Sequence, residues 1–252
     1  MESSIRRAPV VQDALCRYRL WRKGDTRWRS RLPRDRVFRE GCAWFNDLPV
    51  RPADTVVDVG ANEGGFLFPA LRYFTPRRAI AVEMLPDLAE RLRQRSPAHV
   101  DIINCALGAA PGRQQILRSR FSPASSLLPM LPASAEFSKF DVRQETSGWC
   151  DVTTLDAVCD SARLDHVGFL KIDVQGYDLE VLRGATETLR RTAQILIEIE
   201  WTPYYGGAPS FAAILDFLQQ AGFALCGFHS PANSGAGRLL HNDAFFIAER
   251  LL

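Results

Sequence analysis

The chain has 252 residues, enough for a sizeable hydrophobic core, and a formal net charge of +2 that argues against nucleic acid as the default partner. Its six cysteines are scattered with no pair at CxxC spacing, which favours a reducing compartment. No apolar run has the length of a signal-peptide core or of a membrane span, which takes roughly 20 residues. The sequence therefore predicts a cytoplasmic protein with no membrane span.

Residues 1 to 50 differ in charge from the rest of the chain. Residues 1 to 51 hold 13 Lys and Arg against 6 Asp and Glu. A solvated, basic helical cap is the first interpretation of this segment, and contact with an acidic substrate, a membrane surface or RNA is the alternative. Residues 51 to 252 are predicted to form a single α/β domain.

Seven apolar, β-branched runs follow in chain order. They predict strands at residues 55–60, 79–83, 100–107, 167–174, 193–200, 223–228 and 244–249. Segments with helical spacing separate most of them, so we expect a mostly parallel sheet with helices on both faces. The stretch "SPANSGAGRLLHND" between the last two runs favours an antiparallel final pair.

The alternation of strands and helices is interrupted after the third run. The stretch "SRFSPASSLLPMLPASAEFSKF" is rich in Ser and Pro, and it predicts a mobile flap inserted at about residues 119–148. An ordinary surface insertion is an equal alternative. Ser125 and Ser126 in this stretch are candidate substrate contacts, although a flexible serine-rich loop explains them better.

The stretch "VVDVGANEGGF", residues 56 to 66, runs from an apolar strand into a glycine-rich turn. In an open α/β sheet ligands bind beyond the carboxyl ends of the strands, where this turn is expected. Gly60 permits the turn, Asn62 tolerates a positive φ, and Gly64 lets the backbone approach a ligand. Glu83, 23 residues beyond Gly60, can accept hydrogen bonds from both hydroxyl groups of a ribose. Together they indicate a nucleoside cofactor.

Two cofactors fit such a turn. A dinucleotide needs a pyrophosphate site, normally G-x-G-x-x-G, in which Asn62 would replace the second glycine and Gly65 would be the third. S-adenosylmethionine carries an amino-acid tail, and its turn usually opens with an acid two residues before the first glycine. Asp58 is at that position.

Several motifs together resemble the FkbM family of S-adenosylmethionine-dependent methyltransferases over about residues 53 to 249. They are "DVGANEGGF", "AVEMLPDLAERLR", "NCALG", "VTTLDAV", "FLKIDVQGYDLEVLRGA", "ILIEIE" and "NDAFFI". The most specific is "KIDVQGYDLEVLRGA", where the family normally has glutamate in place of Gln175.

The resemblance implies a class I methyltransferase fold, Rossmann-like, with a seven-stranded, mostly parallel sheet and an antiparallel last strand. It also implies that Asp58 and the turn from Gly60 to Gly64 hold the methionine end of the cofactor, and that Glu83 holds the ribose. The segment from Asn104 through Ala106 to Leu107 would flank the adenine.

Methyl transfer to a hydroxyl group requires a positioned nucleophile and a proton acceptor. Lys171 and Asp173 share a strand face, and Asp173 is the first candidate for base or substrate orienter, with a turn cap as the alternative. Lys171 needs a partner in a buried strand, for which Glu198 and Glu200 are the candidates. Glu200 is assigned to the catalytic site and Glu198 is not.

His241 is a further candidate base, because a neutral imidazole accepts protons near pH 7, although a loop or packing role is commoner for a lone histidine. Asp173, Glu200, Asn242 and Asp243 could supply oxygen ligands to Mg²⁺, but their spacing does not support a metal site, and none is predicted.

These features predict an O-methyltransferase that acts on a hydroxyl group of a small molecule, such as a sugar or a natural-product intermediate. A nicotinamide-dependent oxidoreductase and an inactive, methyltransferase-like binding module are the alternatives. Substrate choice is expected to depend on residues 119–148, the N-terminal segment and the loop at residues 229–243.

Overall fold

The computed structural model describes residues 45, 48–132, 140–234 and 236–252. Ten strands lie within this part of the chain: β1 (Thr55–Val59), β2 (Arg78–Val82), β3 (Val100–Ile103), β4 (Ala106–Leu107), β5 (Gly112–Ser119), β6 (Gln144–Thr153), β7 (Phe169–Ile172), β8 (Gln194–Glu200), β9 (Phe223–Asn233) and β10 (Leu239–Ala248). The same residues form six α-helices: α1 (Leu67–Phe74), α2 (Pro86–Arg95), α3 (Leu155–Ser161), α4 (Asp178–Arg183), α5 (Thr186–Arg190) and α6 (Phe211–Gln220).

Seven of the strands form the central sheet, in the order β3-β2-β1-β7-β8-β10-β9. Neighbours from β3 to β8 are parallel, and β10 runs antiparallel to both β8 and β9. The predicted parallel sheet with an antiparallel last strand is confirmed. The order reverses at β1, so the crevice beyond its carboxyl end is the expected ligand site of such a sheet.

Apolar side chains cover both faces of this sheet, because strands buried on two sides need apolar residues at successive positions. One face packs against α3, α4, α5 and α6. The other packs against α1, the end of α2, and two residues that precede the first strand, Phe45 and Leu48. Phe45 is 2% exposed, so the buried core of the domain includes residues before the expected boundary at residue 51.

Helix starts follow local sequence signals. Pro86 begins α2, where its missing N–H is not needed. Thr154 caps α3 by accepting a hydrogen bond from the N–H of Ala157 at 3.1 Å, and Ser210 caps α6 in the same way. The predicted N-terminal helical cap falls on residues 1–44, which lie outside the described residues.

The third apolar run was wrongly predicted as one strand over residues 100–107. It ends at Ile103, and Ala106–Leu107 belong to a second sheet of three strands in the order β4-β6-β5. The flap expected at residues 119–148 begins and ends in this sheet, since β5 and β6 form an antiparallel pair. The mobility of this flap stays a prediction, and residues 133–139 lie outside the described part.

None of the helices formed by the described residues combines the length and apolar character needed to cross a bilayer.

Candidate active site

Polar side chains gather on one face of the sheet at the carboxyl ends of β1, β7 and β8. The antiparallel strand β10 begins at the same edge and contributes two more. Cross-strand register pairs Asp58 with Lys171 and pairs Glu198 and Glu200 with Asp243 and His241, respectively. Asp173 follows β7 directly, and the alternation of side chains along a strand places this set on the face that also carries α1.

The turn after β1 requires glycine at two positions. Gly60 has a φ of 83°, and a Cβ there would lie 1.9 Å from the carbonyl oxygen of Asp173. Gly64 has the same φ, and a Cβ would lie 2.3 Å from the ring of Phe68. Asn62 takes the positive φ expected of it, at 47°. The two strand ends at β1 and β7 are therefore in close backbone contact.

Glu83 holds this turn against the end of β2. The residue is 4% exposed; one carboxylate oxygen accepts from the N–H of Asn62 at 2.7 Å and the other from the N–H of Leu85 at 2.8 Å. Burial raises the pKa of Glu83, and the two N–H groups oppose that shift. Since each oxygen keeps a free acceptor position after one hydrogen bond, the carboxylate remains able to receive ribose hydroxyls.

The segment assigned to the adenine contributes side chains to packing. Nδ2 of Asn104 donates to the carbonyl oxygens of Glu83 at 2.8 Å and of Met84 at 3.1 Å, which joins the ends of β2 and β3. Ala106 is buried in β4 opposite Val152. Contact of this segment with adenine stays a prediction.

Asp58 is 1% exposed, and its Oδ2 has no hydrogen-bond partner among the described residues. Burial raises the pKa of this carboxyl to about 7; Asp173 and Glu83 add to the rise and Lys171 opposes it. Buried polar atoms are nearly always paired, so this oxygen is a candidate acceptor for a ligand's hydrogen-bond donor. A ligand ammonium group satisfies that requirement in both charge and hydrogen bonding.

Lys171 is 5% exposed and lies between two carboxylates. Its Nζ is 3.2 Å from Oδ1 of Asp243 and 3.4 Å from Oδ2 of Asp173. Burial disfavours the charge, but Asp173, Asp243 and Glu198 together raise the pKa of Lys171 above its usual range. The prediction that its ion-pair partner is Glu198 or Glu200 is therefore wrong.

Gln175 connects Asp173 to Glu198. Its Nε2 donates to Oδ1 of Asp173 and to Oε2 of Glu198, each at 2.7 Å, and its Oε1 lies 2.9 Å from the hydroxyl of Tyr205. Burial acts to raise the pKa of Asp173, but Lys171 and Gln175 outweigh it and hold that pKa below its usual range. Burial and the neighbouring Asp173 raise the pKa of Glu198 well above its usual range. The pKa values of these two neighbouring carboxyl groups are therefore shifted in opposite directions.

Glu200 and His241 are opposite each other on β8 and β10. Oε2 of Glu200 accepts from the N–H of Tyr204 at 2.8 Å, and burial raises the pKa of this carboxyl to about 7. Burial lowers the pKa of His241, which leaves a neutral imidazole near pH 7. His241 therefore lies within β10, which begins at Leu239, and not in the loop before the strand predicted at residues 244–249.

Comparison with known proteins identifies the family. The sequence model described as "Methyltransferase FkbM domain" matches residues 58–225, which include the turn after β1 and the strands β7 and β8. The chain belongs to the FkbM methyltransferase family. Membership in a methyltransferase family favours this activity over the oxidoreductase alternative.

A curated relative is the hexuronic acid methyltransferase AglP of Haloferax volcanii, 29% identical over 147 residues. The match covers 58% of this chain and 56% of AglP, so the FkbM methyltransferase described here spans just over half the length of that relative. Among solved structures, methyltransferase FkbM from Methylobacillus flagellatus shares 14% identity at a TM-score of 0.48, covering 81% of this chain and 50% of that one. Magnesium protoporphyrin IX methyltransferase from Synechocystis, with bound SAM, shares 11% identity at a TM-score of 0.43, covering 84% and 77%.

The other residues that the sequence suggested for substrate or metal binding either make hydrogen bonds within the fold or face away from the carboxylates of β7 and β8. Oγ of Ser125 accepts from the N–H of Ser119, and Oγ of Ser126 donates to the carbonyl oxygen of Gln175. Asn242 faces away from these carboxylates and accepts from Nε1 of Trp201. Within the described residues, no group of three or more His, Cys, Asp or Glu side chains has an arrangement that could hold a metal.

The sequence did not place Glu198 in the catalytic site, and it did not predict that Asp243 is an ion-pair partner of Lys171. The two-residue period of "IEIE" gave both glutamates on one face, which made either a candidate for Lys171. The structure assigns neither to Lys171: Glu198 accepts from Gln175, and Asp243, which lies opposite Glu198 on β10, pairs with Lys171.

Proposed function

We propose that this FkbM methyltransferase transfers a methyl group from S-adenosylmethionine to a hydroxyl group of a small molecule, most simply a sugar. The observation that carries the proposal is the unpaired Oδ2 of Asp58, buried beside a turn that needs Gly60 and Gly64. The amino group of the cofactor's methionine end supplies the missing partner. The acceptor class is supported by the relative AglP, whose name specifies a hexuronic acid.

When bound, the cofactor supplies a methyl group activated by a sulfonium centre. The protein's part is to place the acceptor oxygen in line with it and to take the hydroxyl proton. We assign the placement to Asp173, whose side chain is 34% exposed and fixed by Lys171. We assign proton acceptance to the neutral His241, with the negative charges of Asp173 and Asp243 to stabilise the imidazolium that forms. Glu200, opposite His241 on β8, stays a candidate site residue.

Substrate choice is proposed to depend on residues 119–148 and on the loop at residues 229–243. The first segment reaches the cofactor turn, because Oγ of Ser122 lies 3.4 Å from Oδ1 of Asn62. It stays a prediction that the basic residues 1–50 form a separate cap. The cytoplasmic location also stays a prediction.

Titration calorimetry with S-adenosylmethionine tests the cofactor assignment. We expect Asp58→Asn and Glu83→Gln to weaken binding by at least about 10-fold, since each removes a charge-assisted hydrogen bond to the ligand. Glu90→Gln on the exposed side of α2 is the matched control and should bind as the parent does. Equal affinity in all four proteins would contradict the proposal.

Methyl transfer is a separate measurement. Incubation with methyl-labelled cofactor and a panel of free sugars, including hexuronic acids, should yield a labelled methyl ether. Binding of the cofactor without labelled product from any sugar or lysate would favour the inactive binding module instead.

A further inference from the structure

Gln175 makes more contacts than its place in a turn requires. It joins the end of β7 to the end of β8 through Asp173 and Glu198, and it reaches the chain beyond β8 through Tyr205. Its carbonyl oxygen also accepts from Oγ of Ser126 in the insertion, at 2.7 Å. Four parts of the chain therefore meet at one residue, three of them at its uncharged side chain and one at its main-chain carbonyl.

The backbone at Gln175 is in the left-handed region, with a φ of 57°. Glycine adopts this region freely, whereas an L-residue with a side chain does so at an energetic cost. Such a conformation persists where surrounding contacts enforce it, and it is concentrated at functional sites. The contacts made by the amide account for keeping a side chain here.

The chemistry of the amide explains why it suits this position. A carboxylate only accepts hydrogen bonds, so a neighbouring pair of carboxyl groups is stabilised by a donor that reaches both. The two hydrogens on Nε2 allow one hydrogen bond to each carboxyl, while Oε1 accepts from Tyr205. A carboxylate at position 175 would offer only acceptors to the same two groups. The single hydroxyl proton of Tyr205 is shared between Oε1 and the carbonyl oxygen of Ala124, at 2.9 and 3.1 Å.

We propose that Gln175 is a positioning residue for the methyl-transfer site, whose amide fixes the carboxylate of Asp173 toward the acceptor by tying it to Glu198. The proposal rests on the proposed function for the identity of the acceptor. Gln175 acts through Asp173 and is not itself required to touch substrate.

Several charged or titratable side chains surround Asp173, and each neighbouring element contributes at least one of them. The groups that face it are Asp58 on β1, Lys171 on β7, Asp178 on α4, Glu198 and Glu200 on β8, and His241 with Asp243 on β10. Replacement of Gln175 changes one hydrogen-bond donor and leaves all of these in place. A changed titration of Asp173 therefore reports on the amide.

The test uses the full chain with three substitutions. Gln175→Glu keeps the length of the side chain and replaces the donor by a carboxyl. Gln175→Gly removes the side chain and also relieves the left-handed backbone. Arg163→Gly is the matched control, because Arg163 has a φ of 52° in an exposed turn after α3, away from the site.

The first measurement is the NMR titration of carboxyl-labelled aspartate in the ligand-free protein, with the Asp173 signal identified by Asp173→Asn. We expect Asp173 to titrate at higher pH in Gln175→Glu and in Gln175→Gly, since both lose the amide donor. Arg163→Gly should titrate as the parent. An unchanged Asp173 titration in both Gln175 variants would overturn the proposal, whatever the enzyme's substrate.

The second measurement is the pH profile of kcat/KM for methyl transfer. Both Gln175 variants should lose kcat by about 10- to 100-fold, and the acid limb should move to higher pH because Asp173 must be ionised. Arg163→Gly should keep the parent profile. A shifted NMR titration without any methyl transfer in the parent would leave this inference standing and would defeat the proposed function.

Tyr205→Phe covers the case in which the Gln175 variants do not fold. It leaves the amide in place and removes the hydroxyl that orients it, so the titration of Asp173 should move in the same direction by a smaller amount. A parental titration in a folded Tyr205→Phe, with unfolded Gln175 variants, would show that Gln175 has a structural role alone and would overturn the proposal.

Discussion

At the scale of single residues, Asp58 combines two opposed demands. Its carboxylate has an oxygen buried without a partner, which costs free energy in the ligand-free protein, and the same oxygen is the feature that suits a cationic ligand. Residues of a binding site commonly lower the stability of the folded protein for this reason. Stability and ligand affinity should therefore respond in opposite directions when Asp58 loses its charge.

The substitution Asp58→Asn tests this expectation when the free energy of unfolding is measured at two pH values. The pKa of Asp58 is raised from an ordinary 3.8 to about 7 in the folded chain, so folding binds a proton between these values and stability falls as pH rises through that window. We expect Asp58→Asn to raise the free energy of unfolding at about pH 8 by on the order of 1–3 kcal/mol, and to have little effect near pH 4. Urea unfolding at the two pH values measures it.

A lower stability of Asp58→Asn at the higher pH would contradict the assignment of an unpaired, destabilising carboxylate. The matched comparison is Asp101→Asn, because Asp101 is partly exposed and paired with Arg78. That variant should change stability by less than about 1 kcal/mol at either pH.

Residue types near the site were largely predictable, and their partners were not. Asp58, Gly60 and Glu83 follow from the order of strand, turn and strand, which the sequence carries directly. The pairing of Lys171 with Asp243 was not predictable, because it joins two residues 72 positions apart in the chain. The sequence showed Gln175 only as a departure from the family pattern, because three of its four contacts are with residues 23 to 49 positions away in the chain.

At the scale of elements, the turns after β1 and β7 touch each other through their backbones. A Cβ at Gly60 would overlap the carbonyl oxygen of Asp173, which is main chain and cannot rotate aside. At Gly65, five residues on, a Cβ would meet nothing within 4 Å. These two glycines of one turn therefore have different structural requirements.

Substitution by alanine separates them. Gly60→Ala should lower the free energy of unfolding by about 2–5 kcal/mol, from backbone strain at a φ of 83° together with the steric overlap. Gly65→Ala should change it by about 1 kcal/mol or less. Thermal unfolding of the ligand-free proteins provides the comparison, and similar melting temperatures for the two variants would refute the close contact between the turns.

Elements with continuous apolar runs were predicted well, because β1, β2, β7 and β8 are buried on both faces. The run at residues 100–107 was not, since composition does not distinguish one long strand from two short strands that enter different sheets. The strands β5 and β6 were missed for another reason. Their mixed, partly exposed residues lack the apolar alternation by which strands are recognised.

At the scale of the whole molecule, the two faces of the sheet are covered by different parts of the chain. Helices from the second half cover one face, whereas α1, α2 and residues before β1 cover the other. The ring of Phe45 lies within 6 Å of the rings of Phe66 and Phe169, at 5.7 and 5.9 Å between centroids. The chain before residue 51 thus contributes to the folded core.

Phe45→Ala should lower the free energy of unfolding by about 3–5 kcal/mol, the usual loss for a buried phenylalanine. Phe228→Ala removes the same atoms from a side chain that is 45% exposed, and should cost about 1 kcal/mol or less. Chemical denaturation of both variants measures the two losses in free energy of unfolding. If the two losses were equal, Phe45 would not belong to the core.

The pairing of β9 with β10 is irregular at three places, two of which flank His241. Bulges of this kind bend a strand and increase its twist, which turns neighbouring side chains toward a site. Within the described part of the chain, β9 is the last strand of its sheet, so the same irregularity disturbs the spacing of the peptide groups along that strand. Irregular edge strands of this kind are one means by which proteins discourage pairing with a strand of another molecule.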